Sequence, residues 1–425
     1  MPTRFASLET LVTTNCFRAT LTGIVLLAFT LTAQAEENWP GWRGPYGNGH
    51  AKEAGLPTKW TNDSVTWKAQ LKGTGQSSPV IWGERIFLTS ELQNGRQRLV
   101  MCLDRNTGRP LWEHTAWTGD PEPSHRMNGW ASATCATDGE HVYAFFGRGG
   151  GLHCYTVAGK PVWKRDLGHF ESPWGTAACP LLVRDMVIQN CDSEKNAYIV
   201  ALNKKTGKEL WRTKRDDARG WSSPILIEAG GREELVVNGD TGVRAYNPDT
   251  GSEYWYFKNT RGRGTPTVTP AGDVLAVLCG RPAPIYAIRP GGNGEVTATH
   301  LAWTTKRGGG RDLPSPIVID GYILAANMKG IVACYDSKTG KELWQGRLGA
   351  AKTVSAAPVA FGGLAFFVNE AGETIAVRPG EKMEIVSQNK VDAADEEVFR
   401  ASLTPSDGQL FLRSTQVLYC IGKRK

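Results

Sequence analysis

Residues 334–344 read C-Y-D-S-K-T-G-K-E-L-W, and the chain repeats that string. Residues 102–112 read C-L-D-R-N-T-G-R-P-L-W, residues 201–211 A-L-N-K-K-T-G-K-E-L-W, and residues 245–255 A-Y-N-P-D-T-G-S-E-Y-W. A shortened copy, C-Y-T-V-A-G-K-P-V-W, ends at Trp163. The shared pattern is a small residue, a spacer, Asp, Asn or Thr, a Thr-Gly or Ala-Gly turn, three residues and Trp. This is β-hairpin chemistry: an alternating strand enters a turn whose Gly takes positive φ, and a second strand leaves carrying the Trp. Self-similarity at a period of roughly 40–50 residues belongs to propellers and solenoids.

Around each copy the rest of a four-stranded unit can be read. Openers of small residues recur at Gln76–Val80, Trp130–Ala133, Gly175–Ala178, Trp221–Pro224, Gly264–Pro266, Leu313–Pro316 and Val354–Pro358. Each begins a short apolar strand of the kind that crowds round an axis. Fourth strands carry Trp112, Trp163, Trp211, Trp255, Trp303 and Trp344, the expected docking residues between neighbouring units. In the seventh copy Ile385–Ser387 stands where a Trp-bearing strand belongs. The last segment, Ala401–Ile421, supplies only three strands, and the orphan Val65–Gln70 (V-T-W-K-A-Q) supplies the fourth. The expected fold is therefore all-β, an eight-bladed β-propeller over residues 65–425. Pairing the first strand with the last copy closes the ring and removes an exposed sheet edge.

Composition agrees, with Gly 49, Pro 23 and Trp 15 in 425 residues. Residues 1–35 stand apart from the repeats. Arg4 and Arg18 precede a short apolar run, Leu21–Leu31, and Ala33-Gln34-Ala35 forms an A-x-A cleavage site, so this stretch reads as a secretory signal peptide. No later segment is apolar enough for a transmembrane span. The expectation is a monomeric protein in the periplasm or another exported compartment. Residues 36–64, opening E-E-N-W-P-G-W-R-G-P-Y-G-N-G, are too rich in Gly and Pro for a regular element and should lie as a strap across the body. Cys102, Cys154, Cys334 and Cys420 occupy equivalent positions before the turn, too far apart in neighbouring blades to be bridged, and read as buried thiols. Cys179 and Cys191 flank a hairpin turn and are candidates for a cross-strand disulfide.

On these residues the repeat resembles the tryptophan-docking motif of quinoprotein-type eight-bladed propellers. That group includes dehydrogenases dependent on pyrroloquinoline quinone, and the non-enzymatic propeller lipoprotein of the outer-membrane barrel-assembly machinery. The mature length resembles the latter branch. The resemblance implies the fold over Trp67–Cys420 and leaves two functions open, a binding scaffold of the cell envelope or a quinone-dependent oxidoreductase. The dehydrogenases use calcium or a lanthanide, an Asp base and usually an adjacent-Cys disulfide. The disulfide is absent here, and Asp192, Asp240 and Glu370 do not assemble into an ordered ligand set, so no catalytic residue and no metal ligand is assigned.

Function is expected on the rim that carries the second-to-third turns and the connections between copies. Arg148, Arg281, Lys329 and Arg413 fall in those turns, and Arg263 and Arg311 lead a basic majority in the connections. A rim of one charge concentrates counter-charged partners, and guanidinium groups bind anions through paired hydrogen bonds. The expected partner is an envelope protein or an anionic polymer, with pyrroloquinoline quinone and calcium as the alternative. A carbohydrate-binding reading would use Trp39, Trp42, Trp117 and Trp174 for stacking. Nucleic acid is not expected: the basic tail Lys423-Arg424-Lys425 is too short and the leader points to export. The seven His lack metal-ligand spacing, and His114 and His125 read as surface residues of a long connection.

Overall fold

The computed structural model describes residues 38–425 apart from residues 170, 259, 261, 281–283, 308–309, 351 and 424–425. The signal-peptide reading of residues 1–35 and the site residue Arg281 lie outside them. Among the described residues no helix is long and apolar enough to cross a membrane.

Eight antiparallel sheets form the blades of a propeller. Blade one is typical, with strands Val80–Trp82, Arg85–Leu92, Gln97–Asp104 and Pro110–Thr118 from the axis outward. The innermost strand is short because eight of them converge on the axis. The eighth blade consists of Thr404–Ser406, Gln409–Arg413 and Val417–Gly422, completed on its outer edge by Val65–Gln70. Blade four carries one added strand, Gly294–Glu295, which pairs in parallel with Trp255 and Tyr256.

The strand register explains the repeat. Trp112, Trp163, Trp211, Trp255, Trp303 and Trp344 each face a Cys or Ala: Cys102, Cys154, Ala201, Ala245, Ala287 and Cys334. The small partner leaves room for the indole to lean toward the next blade. There the Trp112, Trp163, Trp211, Trp303 and Trp344 N–H groups donate to carbonyls at 2.9–3.0 Å. Gly340 shows why the turn requires glycine: its φ is +71°, and a β-carbon would come within 2.3 Å of the Trp303 ring. Trp255 is the exception. The turn of blade five is lengthened to span Ile288 to Leu301, so the Trp255 N–H donates instead to Glu234, which also accepts from the Gly291 backbone N–H.

A seventh docking residue was not identified from sequence. Trp67 faces Cys420 in the N-terminal strand of blade eight, and its N–H donates to the Arg105 carbonyl at 3.1 Å. Blade seven has Ser387 opposite Ala376 in place of a Trp. Its hydroxyl donates to the Thr58 carbonyl at 2.7 Å, and Trp60 of the same incoming segment stacks on Phe366 of that blade.

Residues 38–64 cross the rim of the first-to-second turns. Trp39, almost wholly buried, bridges to Ile81 of blade one, the Pro40 carbonyl accepts from Thr137 of blade two, and His50 bridges to Ala360 of blade seven. Arg43 is buried beneath, donating to the Asn48 and Pro316 carbonyls, and burial lowers its pKa to about 9. The segment thereby lies against innermost strands on several sides of the axis.

The eight cysteines among the described residues are free and buried. The disulfide considered for Cys179 and Cys191 is not formed, and register gives the reason. Leu181 faces Ile188, which sets position 179 opposite 190, so Cys191 is one residue out and its side chain points to the other face of the sheet.

Candidate functional site

The axis is lined by the openers, and their register defines two tiers. Two residues before the first paired position of each innermost strand stand Ser78, Thr134, Cys179, Ser223, Thr267, Ser315, Ala357 and Ser402, in blade order. All but Ala357 carry a hydroxyl or thiol, and they staple blade to blade. The Ser78 backbone N–H donates to Thr134 Oγ1 at 2.8 Å, Thr134 N–H to Cys179 Sγ at 3.3 Å, and Cys179 N–H to Ser223 Oγ at 2.9 Å. Thr267 N–H donates to Ser315 Oγ at 2.9 Å, and Ser402 N–H to Ser78 Oγ at 3.0 Å across the ring closure. Converging strands cannot pair edge to edge at the axis, and these side chains satisfy the backbone donors instead.

The second tier, two residues earlier, holds Gln76, Trp221 and Arg400 among smaller residues. The two tiers enclose an axial cavity of about 230 Å³, with Trp42 of the strap segment in its lining. Its mouth is built from the connections between blades: His125 and Met127, Trp174, Arg263, and Arg311. The connection from blade one to blade two reaches furthest. Its Asn128 amide donates to the Trp174 carbonyl at 2.8 Å, His125 lies against the Trp174 ring with centroids 4.8 Å apart, and Arg400 of the opposite flank donates to the Arg126 carbonyl at 3.2 Å. The Arg263 guanidinium sits 5.5 Å from the Trp174 ring centroid, a cation–π contact.

Of the residues expected to bind a ligand, the structure brings Arg263 and Arg311 together at this mouth. Lys329 is exposed on its turn beside Met328, which does line the cavity. Arg148 is half-buried and bonds to His169 at 3.2 Å, away from the mouth. Arg413 requires a correction. It belongs to the second strand, two residues beyond Phe411, which faces Thr404, and is fully buried. Its guanidinium donates to the Ser77 carbonyl at 2.7 Å and the Thr89 carbonyl at 2.9 Å, joining blade eight to blade one. Asn190 and Asn238 occupy the same register position and make the same kind of link, to the Ser222 and Pro266 carbonyls. Burial lowers the Arg413 pKa to about 9.

The wider rim is less basic than its sequence suggested, because carboxylates pair with many of its cations. Arg98 binds Glu122 and Arg219 binds Glu194; Arg215 binds Asp192 at 2.5 Å, Arg307 binds Asp312 at 3.0 Å, and Arg400 binds Glu370 at 2.9 Å. Most of these pairs are buried and act as blade-to-loop struts. The four Trp considered for sugar stacking share no platform: Trp39 is buried, Trp42 and Trp174 belong to the cavity, and Trp117 lies under Arg98, 4.3 Å from its guanidinium. Arg400 and Trp221 were not singled out from sequence. Aligning the openers by register would have found both.

A family model described as "Outer membrane protein assembly factor BamB" matches residues 58–152, 96–277 and 192–388. The chain belongs to that family of quinoprotein-like propellers. Curated protein sequences contain no match to it. Among solved structures, the propeller is similar to a europium-containing methanol dehydrogenase, with a TM-score of 0.70 at 13% identity over 91% of this chain and 98% of the other. It is also similar to BamB from Moraxella catarrhalis, with a TM-score of 0.57 at 15% identity over 85% and 97% of the two chains. A quinohemoprotein alcohol dehydrogenase from Pseudomonas putida gives a TM-score of 0.66 at 14% identity over 92% and 81%. At such identities the likeness speaks for the propeller fold alone. Both branches of the family appear in it.

Proposed function

We propose that this chain is a non-catalytic binding protein of an exported compartment, whose basic loop face takes an anionic ligand at the axial mouth. One observation carries the reading. Arg263 and Arg311, with Arg400 paired behind the wall to Glu370, line a cavity walled by hydroxyls, a thiol and indole rings, and among the described residues no Asp or Glu lines it. Guanidinium groups in a partly enclosed, aromatic setting favour a planar or multidentate anion. The same mouth can hold an acidic side chain of a protein partner or a terminal group of an anionic polymer, which is how a scaffold in the envelope would use it. Arg263→Glu combined with Arg311→Glu should abolish binding of small carboxylates, sulfonates and phosphates by the folded protein. Unchanged binding of every anion bound by the wild type would sink the proposal.

The oxidoreductase reading draws on the similarity to dehydrogenases, and its cofactor makes demands that this cavity does not meet. Calcium takes six to eight oxygen ligands, carboxylates among them. Here no carboxylate lines the cavity, and among the described residues no cluster of three His, Cys, Asp or Glu could hold a metal. Of the carboxylates considered as ligands, Asp192 and Glu370 are committed to Arg215 and Arg400. The calcium–quinone pair does not fit this donor set. A rise in melting temperature with pyrroloquinoline quinone and calcium, absent with either alone, would restore the catalytic reading.

A further inference from the structure

The mouth places one titratable group among cations delivered by separate parts of the chain. His125 stands at the apex of the loop between blades one and two, its ring against Trp174. Arg126 comes from its own loop, Arg263 and Arg311 from the connections into blades five and six, and Arg400 from the connection into blade eight. Of the carboxylates on these elements, Asp120 pairs with Arg96, Glu122 with Arg98 and Asp312 with Arg307, Glu397 accepts from the Tyr419 hydroxyl, and Asp392, Asp395 and Glu396 share the connection that carries Arg400; Glu370, from a turn of blade seven, is shared by Arg400 and the Ser355 hydroxyl. Burial first, and then Arg126, Arg311, Arg400 and Arg263, hold the His125 pKa below its ordinary value.

We infer that the mouth selects multiply charged anions over singly charged ones, and that His125 takes up a proton as such an anion binds. This rests on the axial-mouth reading above. His125, in the field of four guanidinium groups, takes up a proton more readily when their repulsion is offset. A singly charged anion offsets little of it. An anion with two or more charges, bridging Arg263, Arg311 and Arg400, offsets most of it, and the imidazolium then becomes a further donor to it. The bound state holds more protons than the free state, so affinity strengthens as pH falls through the His125 titration range, by at most about tenfold per pH unit.

The test uses benzene-1,3-disulfonate and benzenesulfonate, whose charges do not change between about pH 5.5 and about pH 8, the range in which histidine titrates. Calorimetry of the full chain in two buffers of different ionisation enthalpy counts the protons taken up. The expected result is tighter binding of the disulfonate, uptake of a fraction of a proton near neutral pH, and, in His125→Gln, weaker disulfonate binding that has lost both the uptake and the pH dependence. Disulfonate binding without uptake, uptake that persists in His125→Gln, or equal affinity for both probes would overturn the inference and leave the anion site standing. Failure of the wild type to bind either probe would overturn the anion site itself and the inference with it.

Discussion

The Trp67 indole donates to the Arg105 carbonyl and lies so close to Gly108 that a β-carbon there would come within 2.7 Å of its ring. That contact joins the start of the propeller to its first blade, in the geometry by which Trp303 meets Gly340. Trp67 also faces Cys420, so one side chain ties blade eight, the N-terminal strand and blade one together. Trp67→Ala should cost about 3–5 kcal/mol, as for other large core truncations. Chemical denaturation measures it. Trp344→Ala, at a less buried site, should cost less and leave anion binding by the folded protein unchanged. A Trp67→Ala protein as stable as the wild type would mean that the closure does not depend on this contact.

The docking Trp, its turn and its small partner recur within about ten residues of one another, so local pattern revealed them. Trp67 escaped because its turn is split between the two ends of the described chain: no Thr-Gly precedes it in sequence. Arg413 was placed on the rim because a strand end and a turn look alike in a single copy. Only register against Asn190 and Asn238 puts it inside. The mouth was harder still, since His125, Trp174, Arg263, Arg311 and Arg400 come from five connections that share no pattern.

Arg413 offers a direct check of its reassignment. Arg413→Ala removes the donors to the Ser77 and Thr89 carbonyls and opens a void at the ring closure. The expected loss is about 2–4 kcal/mol. Anion binding measured on the folded fraction should be unaffected, in contrast to Arg263→Glu. Weakened binding at full stability would return Arg413 to the ligand site.

Asp336 makes the turn of its copy titratable. Its carboxylate accepts from the Thr339 hydroxyl at 2.7 Å and the Thr339 and Lys338 N–H groups, and these bonds, led by the hydroxyl, hold its pKa below the usual carboxylate range. A depressed folded-state pKa contributes stability that is present above the unfolded value and lost as pH falls through the folded one. Asn203 accepts the same set of bonds in its copy without a charge. Asp336→Asn should therefore fold with a slightly lower melting temperature near neutral pH, and the gap to wild type should close as the pH is lowered. A gap that widens on acidification would contradict this.

Ala357 is the break in the axial ring of hydroxyls and thiol. In the ring a backbone N–H donates to the side chain of the next blade, as Thr267 does to Ser315. Position 357 follows Ser315 in that order, so Ala357→Ser would offer an oxygen to the Ser315 N–H. Because the position lines the cavity, the added hydroxyl meets open space rather than packed side chains. The gain should be about 0.5–1.5 kcal/mol, the net worth of one such hydrogen bond. The converse change, Ser223→Ala, takes the acceptor from the Cys179 N–H, and the loss should be at the upper end of that range because a buried donor is left unpaired. Denaturation of the two variants decides whether the axis is held by these bonds or by packing alone: packing alone predicts no gain from Ala357→Ser and no more than a methyl-sized change from Ser223→Ala.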